Sequence, residues 1–194
     1  SMGFYRLVLG GVSRGLEHVQ REAEYGARAA VVEYGPLGGT CVNVGCVPKK
    51  VMWYAAETQH HLDHAADYGF DIDVRGHDWA SLKVRRDAYV TRLNGIYENN
   101  LDRRGVDHIH GAAQFVDPHT LAVGDEEYRA DRIVIATGGR PMVPDIPGAG
   151  YGIVSDDFFT LGERPQRVLI AGSGYVAVEI GGVFNALGSD VNIV

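Results

Sequence analysis

The sequence predicts an α/β fold built on a parallel sheet, and three observations carry that reading. Short apolar runs stop at glycine clusters, helix-length segments follow those clusters, and a further apolar run closes each unit. This strand, glycine turn, helix, strand order occurs twice, and such a βαβ unit implies parallel strands. Of the 26 glycines, 16 cluster at residues 10–15, 35–45, 138–152 and 172–182, between the strand-like runs. That distribution marks backbone closely approached by a ligand, not flexible linker.

In chain order, Tyr5-Arg-Leu-Val-Leu9 reads as a buried strand ending at Gly10-Gly11. Arg14 to about Tyr25 reads as a helix closed by Gly26, and Ala29-Ala-Val-Val-Glu33 as the second strand. Val51 to His64 looks helical. Trp79 to Arg104 carries a helical stripe of Leu82, Tyr89, Leu93, Ile96 and Tyr97. Residues 107–130 alternate like short antiparallel strands, punctuated by Asp117-Pro118 and Gly124-Asp125. Arg132-Ile-Val-Ile-Ala-Thr137 reads as a buried strand ending in Gly138-Gly139. The second βαβ has its strand at Arg167-Val-Leu-Ile-Ala171, a turn from Gly172, a helix to about Leu187 and a strand from Asp190 to Val194. So short a piece does not cover both faces of a parallel sheet. The expectation is one complete domain, 1–160, followed by the opening of another at 161–194.

A net charge of −7 advertises no basic face for nucleic acid. No apolar run approaches the ~20 residues that span a bilayer. No secretory leader is visible, and Ser1-Met2 reads as an appended remnant. Two cysteines in such a chain fit a reducing compartment, with the cytoplasm as the expected location.

Both cysteines, Cys41 and Cys46, fall in the stretch GGTCVNVGCVPKK, Gly38 to Lys50. They would suit a metal site, an inert pair or a dithiol that opens and closes. Zinc sites usually draw four clustered Cys or His ligands, and no second pair stands near these two. His60, His61 and His64 suggest at most adventitious metal binding on a helix end, so no metal is expected. Two buried thiols packed as small hydrophobes are the bland reading. Gly38, Gly39 and Gly45 bring backbone close to something, Pro48 restricts the turn, and Lys49 and Lys50 follow one turn on. A small loop gains little from a crosslink, which suits a bond meant to be broken. The dithiol reading is favoured.

The run from Gly38 to Trp53 resembles the active-site signature of the flavoprotein disulfide reductases, the glutathione reductase group above all. Similarity continues at Ala66-Asp-Tyr-Gly-Phe70, Arg86-Asp-Ala-Tyr-Val90, Tyr97-Glu-Asn-Asn100, Ala136-Thr-Gly-Gly139, Ser155-Asp-Asp-Phe-Phe159 and Gly174-Tyr-Val-Ala-Val-Glu179. It covers nearly the whole chain from Gly26 on, but only the N-terminal part of such an enzyme. The resemblance implies a Rossmann-like FAD-binding domain with a small antiparallel β element, then the first βαβ of an NADPH-binding domain. It implies electron flow from NADPH through FAD and a Cys41/Cys46 disulfide to glutathione disulfide, in a homodimer.

Residue by residue, the resemblance makes Cys41 the thiol that attacks substrate and Cys46 the thiol facing the flavin. Lys49 matches the lysine beside the flavin, Glu179 its glutamate partner, and Tyr175 the aromatic gate over the nicotinamide pocket. Ser13 and Tyr97 fall where the family contacts glutathione. Gly10, Gly11, Ser13 and Gly15 form the FAD turn, and Glu33 is the acid suited to a ribose hydroxyl. Gly39, Thr40, Ala113, Thr137 and Gly138 match other flavin-contacting segments. Gly172, Gly174 and Ala177 form a G-x-G-x-x-A turn for the NADPH pyrophosphate. The arginines that choose NADPH over NADH are expected past Val194.

The resemblance departs at the first turn, Gly10-Gly11-Val12-Ser13-Arg14-Gly15, where the family has glycine at position 12 and a small residue at 14. A β-branched side chain there would cost on the order of 1–3 kcal/mol of FAD affinity. Glu17, expected in the first helical turn, would compete with a phosphate for the helix field. The family's acid–base His–Glu pair comes from the last domain of the partner subunit, and His108 and His110 sit in the wrong region to replace it. The chain alone is therefore not expected to turn over glutathione. Two other readings stand beside this one. The first is a non-catalytic truncated or engineered fragment with impaired FAD binding. The second is a related disulfide reductase acting on trypanothione or thioredoxin.

Overall fold

The computed structural model describes residues 2–194, without the side chains of Met2 and Tyr5; Ser1 lies outside the described residues. The chain divides into two compact units. One runs to Asn43 and resumes at Val90–Arg140; the other is Val44–Tyr89 with Pro141–Val194.

In the first unit, β1 (Met2–Leu9) leads through Gly10-Gly11-Val12 into α1 (Ser13–Glu24) and on to β2 (Ala29–Glu33). Leu16 and Val19 of α1 are wholly buried, spaced so that one helix face meets the sheet. The helix closes on Gly26, whose positive φ of 85° allows paired bonds from Gly26 N to Ala23 O and from Ala27 N to Glu22 O. Ala29 to Val32 are fully buried, as befits a central parallel strand covered on both faces. Burying each of these valines contributes roughly 1.5–3 kcal/mol. The short helix α2 (Gly39–Asn43) follows.

The helix α4 (Trp79–Arg103) starts in the second unit and ends in the first, after α3 (Cys46–Asp63). From its end run β3 (Asp107–His110), β4 (Ala113–Asp117), β5 (Thr120–Val123) and β6 (Glu126–Ile135). The sheet order is β3-β2-β1-β6-β5-β4. Here β3 departs from expectation: it pairs parallel with β2, not antiparallel. A strand reached through a long helical crossover enters the sheet in the same direction, whereas the tight turns after Asp117 and Val123 reverse β4, β5 and β6. The strand expected at 132–137 begins earlier, because no glycine or proline interrupts 126–135, and β6 pairs antiparallel with β5 and parallel with β1. It is mostly exposed, not buried. Val134 joins the cluster under α1 and Ile133 the opposite one, while Ile135 is 66% exposed.

The second unit holds α3, the first half of α4 and a βαβ of β7 (Arg167–Ile170), α5 (Tyr175–Ala186) and β8 (Asp190–Ile193), with β7 and β8 parallel. α3 starts at Cys46, not Val51. Pro48 therefore lies in its first turn, where a missing N–H costs nothing, and does not shape a loop. The core gathers Met52, Ala56, Trp79, Phe158, Phe159, Ile180, Val183, Phe184 and Leu187. The Trp79 ring stacks on Phe184 at 5.6 Å and meets the edge of Phe158 at 5.9 Å, while its Nε1 donates to Leu161 O at 2.9 Å. Of the expected α4 stripe, Tyr89 and Ile96 are 42% and 40% exposed. The buried position between Leu82 and Tyr89 is Arg86, 1% exposed. The α/β fold with a mostly parallel sheet, a small antiparallel element and a second small sheet is the one the sequence implied.

Candidate functional site

The segments assigned to a dinucleotide in the first unit converge on the β1–α1 turn. Gly10 has a φ of 106°, and a Cβ there would lie 2.1 Å from Ala136 O and 2.8 Å from Thr137 Cα. A Cβ on Gly15 would lie 2.6 Å from Gly10 O, so only glycine lets α1 pack this close to the turn. The Glu33 carboxylate at the end of β2 accepts Gly11 N–H at 2.6 Å and Gly35 N–H at 2.8 Å. Ala113 lies two residues past Gly111, whose N–H bonds to Glu33 O at 3.0 Å. Gly39 and Gly138 both face Val12: a Cβ on either would stand 2.7 Å and 3.1 Å from Val12 Cγ1. The space where these segments meet is filled by that isopropyl group, and the turn as it stands does not fit a dinucleotide pyrophosphate. Glu17 is not in the first helical turn. Val12 caps α1 in an extended conformation, so the helix starts at Ser13 and Glu17 is its fifth residue.

Thr40 and the half-buried Cys41 sit in α2. The Asn43 amide ties that helix to the chain before it, donating to Leu37 O at 3.1 Å and Gly39 O at 2.9 Å. Asn94 of α4 adds bonds to Leu37 O at 2.8 Å and to Asn43 Oδ1 at 3.0 Å. Neither asparagine was singled out from the sequence, although Asn43 lies within the cysteine stretch.

In the second unit Cys46 is exposed as the first residue of α3, with Gly45 before it. One turn on, the Lys49 ammonium pairs with the Glu179 carboxylate of α5. It also lies 5.3 Å from the centroid of the Tyr175 ring. Lys49 is 15% exposed, and Tyr175, first residue of α5, is 77% exposed. Three residues named from sequence thus form one cluster across α3 and α5. The neighbouring turn is open: a Cβ on Gly172 or Gly174 would meet nothing within 4 Å. Gly172 takes a φ of 111° and donates to Val194 O at 2.7 Å. Ala177 follows within α5, but the close helix–sheet approach is made by Gly181, where a Cβ would lie 3.2 Å from Ile193 Cδ1. The residues of this second turn fit a dinucleotide pyrophosphate.

Ser13 and Tyr97 line one cavity of about 430 Å³ with Glu17, Gln20, Arg21, Glu24 and Arg104. Ser13 Oγ also donates to Gly38 O at 3.2 Å. Glu24 takes hydrogen bonds from Arg21 at 2.8 Å and Arg104 at 3.0 Å, and the bond from Arg21 leads in holding its carboxyl below the usual range. Arg104 also bonds Gln20. Among the described residues, no helix is long and apolar enough to cross a membrane.

Comparison with known proteins agrees with the resemblance drawn from Gly38 to Trp53. A glutathione reductase of Yarrowia lipolytica is 47% identical over 201 residues, which cover 96% of this chain and 43% of that protein. A glutathione reductase of Schizosaccharomyces pombe is 49% identical over 199 residues, covering 98% of this chain and 43% of the relative. The chain spans less than half the length of these relatives. The model of the pyridine nucleotide-disulphide oxidoreductases matches residues 6–194. The chain belongs to the pyridine nucleotide-disulphide oxidoreductase family.

Proposed function

We propose that the chain is part of a glutathione reductase-like enzyme whose dithiol, Cys41 and Cys46, reduces glutathione disulfide. The observation that carries the reading is the cluster in the second unit. Cys46 opens α3, Lys49 and Glu179 pair one turn later, and Tyr175 opens α5 at an open glycine turn. The similarity to glutathione reductases supports the substrate. Cys41 Sγ, as thiolate, attacks one sulfur of the disulfide, and one glutathione leaves as thiolate and takes a proton. Cys46 Sγ then attacks Cys41 Sγ and releases the second glutathione, so the substrate disulfide is reduced and the dithiol is oxidised.

Lys49 and Glu179 hold α3 and α5 together at this place, and Tyr175 stands exposed at the start of α5 beside the turn. NADPH, held at Gly172, Gly174 and Ala177, supplies reducing equivalents when bound. The family pairs that nucleotide with FAD, which the Val12-filled turn does not fit. The exchange is the step this chain's own residues supply. We place the flavin-type domain at 1–160 and the start of the NADPH domain at 161–194, in a cytoplasmic homodimer in the longer enzyme. A cofactor-free scaffold is the second reading, favoured by Val12.

Cysteine variants test the dithiol. In Cys46→Ser, glutathione disulfide should leave a stable glutathione adduct on Cys41, located by peptide mass spectrometry. In the wild type no adduct should persist, because Cys46 resolves it. Absence of the adduct on Cys41 in the variant would remove Cys41 from the attacking role.

A further inference from the structure

The two glycine turns of this chain have the same backbone and opposite contents. Val12 caps α1 at φ −66°, ψ 160°, and Gly174 caps α5 at φ −69°, ψ 168°. A valine at this point therefore does not distort the turn; it differs only in what projects from it. At Gly174 nothing lies within 4 Å of a Cβ position, whereas Val12 Cγ1 lies 2.7 Å from a Cβ position on Gly39 and 3.1 Å from one on Gly138. Backbone groups close the same place. Val12 forms a parallel bridge with Gly38, and Gly38 N–H donates to Gly11 O at 2.7 Å. Gly11 N–H is already given to Glu33 at 2.6 Å.

We propose that the first dinucleotide turn is closed by its own Val12 side chain, which takes the place of the flavin dinucleotide's pyrophosphate and ties together the segments that would surround it. The inference rests on the family reading, in which this turn is the flavin turn. Its chemical content is a trade. A pyrophosphate needs glycine backbone within hydrogen-bond reach and room for its oxygens. An isopropyl group supplies packing to Gly39 and Gly138 instead. One residue therefore sets cofactor-free stability and flavin affinity in opposite directions.

The test compares the full chain with Val12→Gly and Val12→Ala. FAD is titrated by quenching of flavin fluorescence, and thermal unfolding is followed without FAD. Val12→Gly should bind FAD roughly ten- to a hundredfold tighter than wild type, with Val12→Ala between them. Without flavin both variants should melt lower, Val12→Gly by at least about 2 °C. A wild-type chain that purifies with stoichiometric FAD would overturn the proposal. So would variants that bind FAD no more tightly than wild type. If Val12→Gly does not fold, Val12→Ala carries the comparison, since it keeps the Cβ and removes the methyl groups that lie against Gly39 and Gly138. Glutathione exchange at the cysteines needs no flavin, so a failure of the functional reading shows there and not in this titration.

Discussion

Among the described residues Arg86 is the largest fully buried side chain, and its guanidinium is paired on both sides. Nε and Nη2 donate to Asp87 Oδ1 at 3.0 Å and 2.6 Å, and Nη2 also reaches Phe159 O at 2.5 Å. The guanidinium lies 5.4 Å from the Phe159 ring centroid. A buried charge without its partner costs several kcal/mol, and Asp87 is 45% exposed, so Asp87→Asn should destabilise by roughly 1–3 kcal/mol in urea unfolding. Burial pushes the Asp87 carboxyl up, but hydrogen bonds from Lys83 and Arg86 outweigh it and hold the carboxyl below the ordinary aspartate range. A depressed carboxyl stabilises the fold above its unfolded value, and that stability is lost as pH falls through the folded value. The wild type should therefore lose this stability below about pH 4, a slope that Asp87→Asn should lack. An unchanged acid limb in the variant would contradict the assignment. Nothing in the sequence marked Arg86 as buried, because a charged residue on a helix reads by default as solvated. Its buried backbone acceptor, Phe159 O, comes from the aromatic turn at Asp157–Thr160, far along the chain.

Helix–strand packing separates two glycines that look alike in sequence. A Cβ on Gly15 meets a backbone carbonyl at 2.6 Å, and the turn has no freedom to retreat. A Cβ on Gly181 comes closest to the ends of Ile193 and Ile170, at 3.2 Å and 3.3 Å, which shift cheaply. Gly15→Ala should cost roughly 1–3 kcal/mol by denaturant titration. Gly181→Ala should change stability by less than about 1 kcal/mol, because helix propensity offsets the crowding. Equal costs would contradict this account of the first turn. Strands β1, β2 and β7 were legible because each is an apolar run stopped by glycine or a turn, and β8 because it follows the helix of a βαβ unit. The direction of β3 was not, since it depends on the crossover through α4 and not on its own four residues. The start of α3 was hidden by Pro48, a residue that breaks helices everywhere except in their first turn.

At the scale of the whole molecule, each unit carries its own set of candidate residues. The first carries α2 with Cys41, the filled turn and the cavity lined by Ser13 and Tyr97. The second carries Cys46, the Lys49–Glu179 pair, Tyr175 and the open turn. The residues proposed for the site could be named from sequence because the cysteine stretch and both turns are contiguous motifs. The obstruction of the first turn was legible in Val12 itself, but its packing on Gly39 and Gly138 was not, because they reach Val12 only through the fold.

Thiol stoichiometry tests the central claim most directly. The fully reduced chain is mixed with one equivalent of glutathione disulfide, and free glutathione and intact protein mass are followed together. Both halves of the disulfide should be released as thiol, leaving an internal Cys41–Cys46 disulfide and no lasting adduct. A chain that retains glutathione on separate cysteines, or does not react, would contradict a working dithiol.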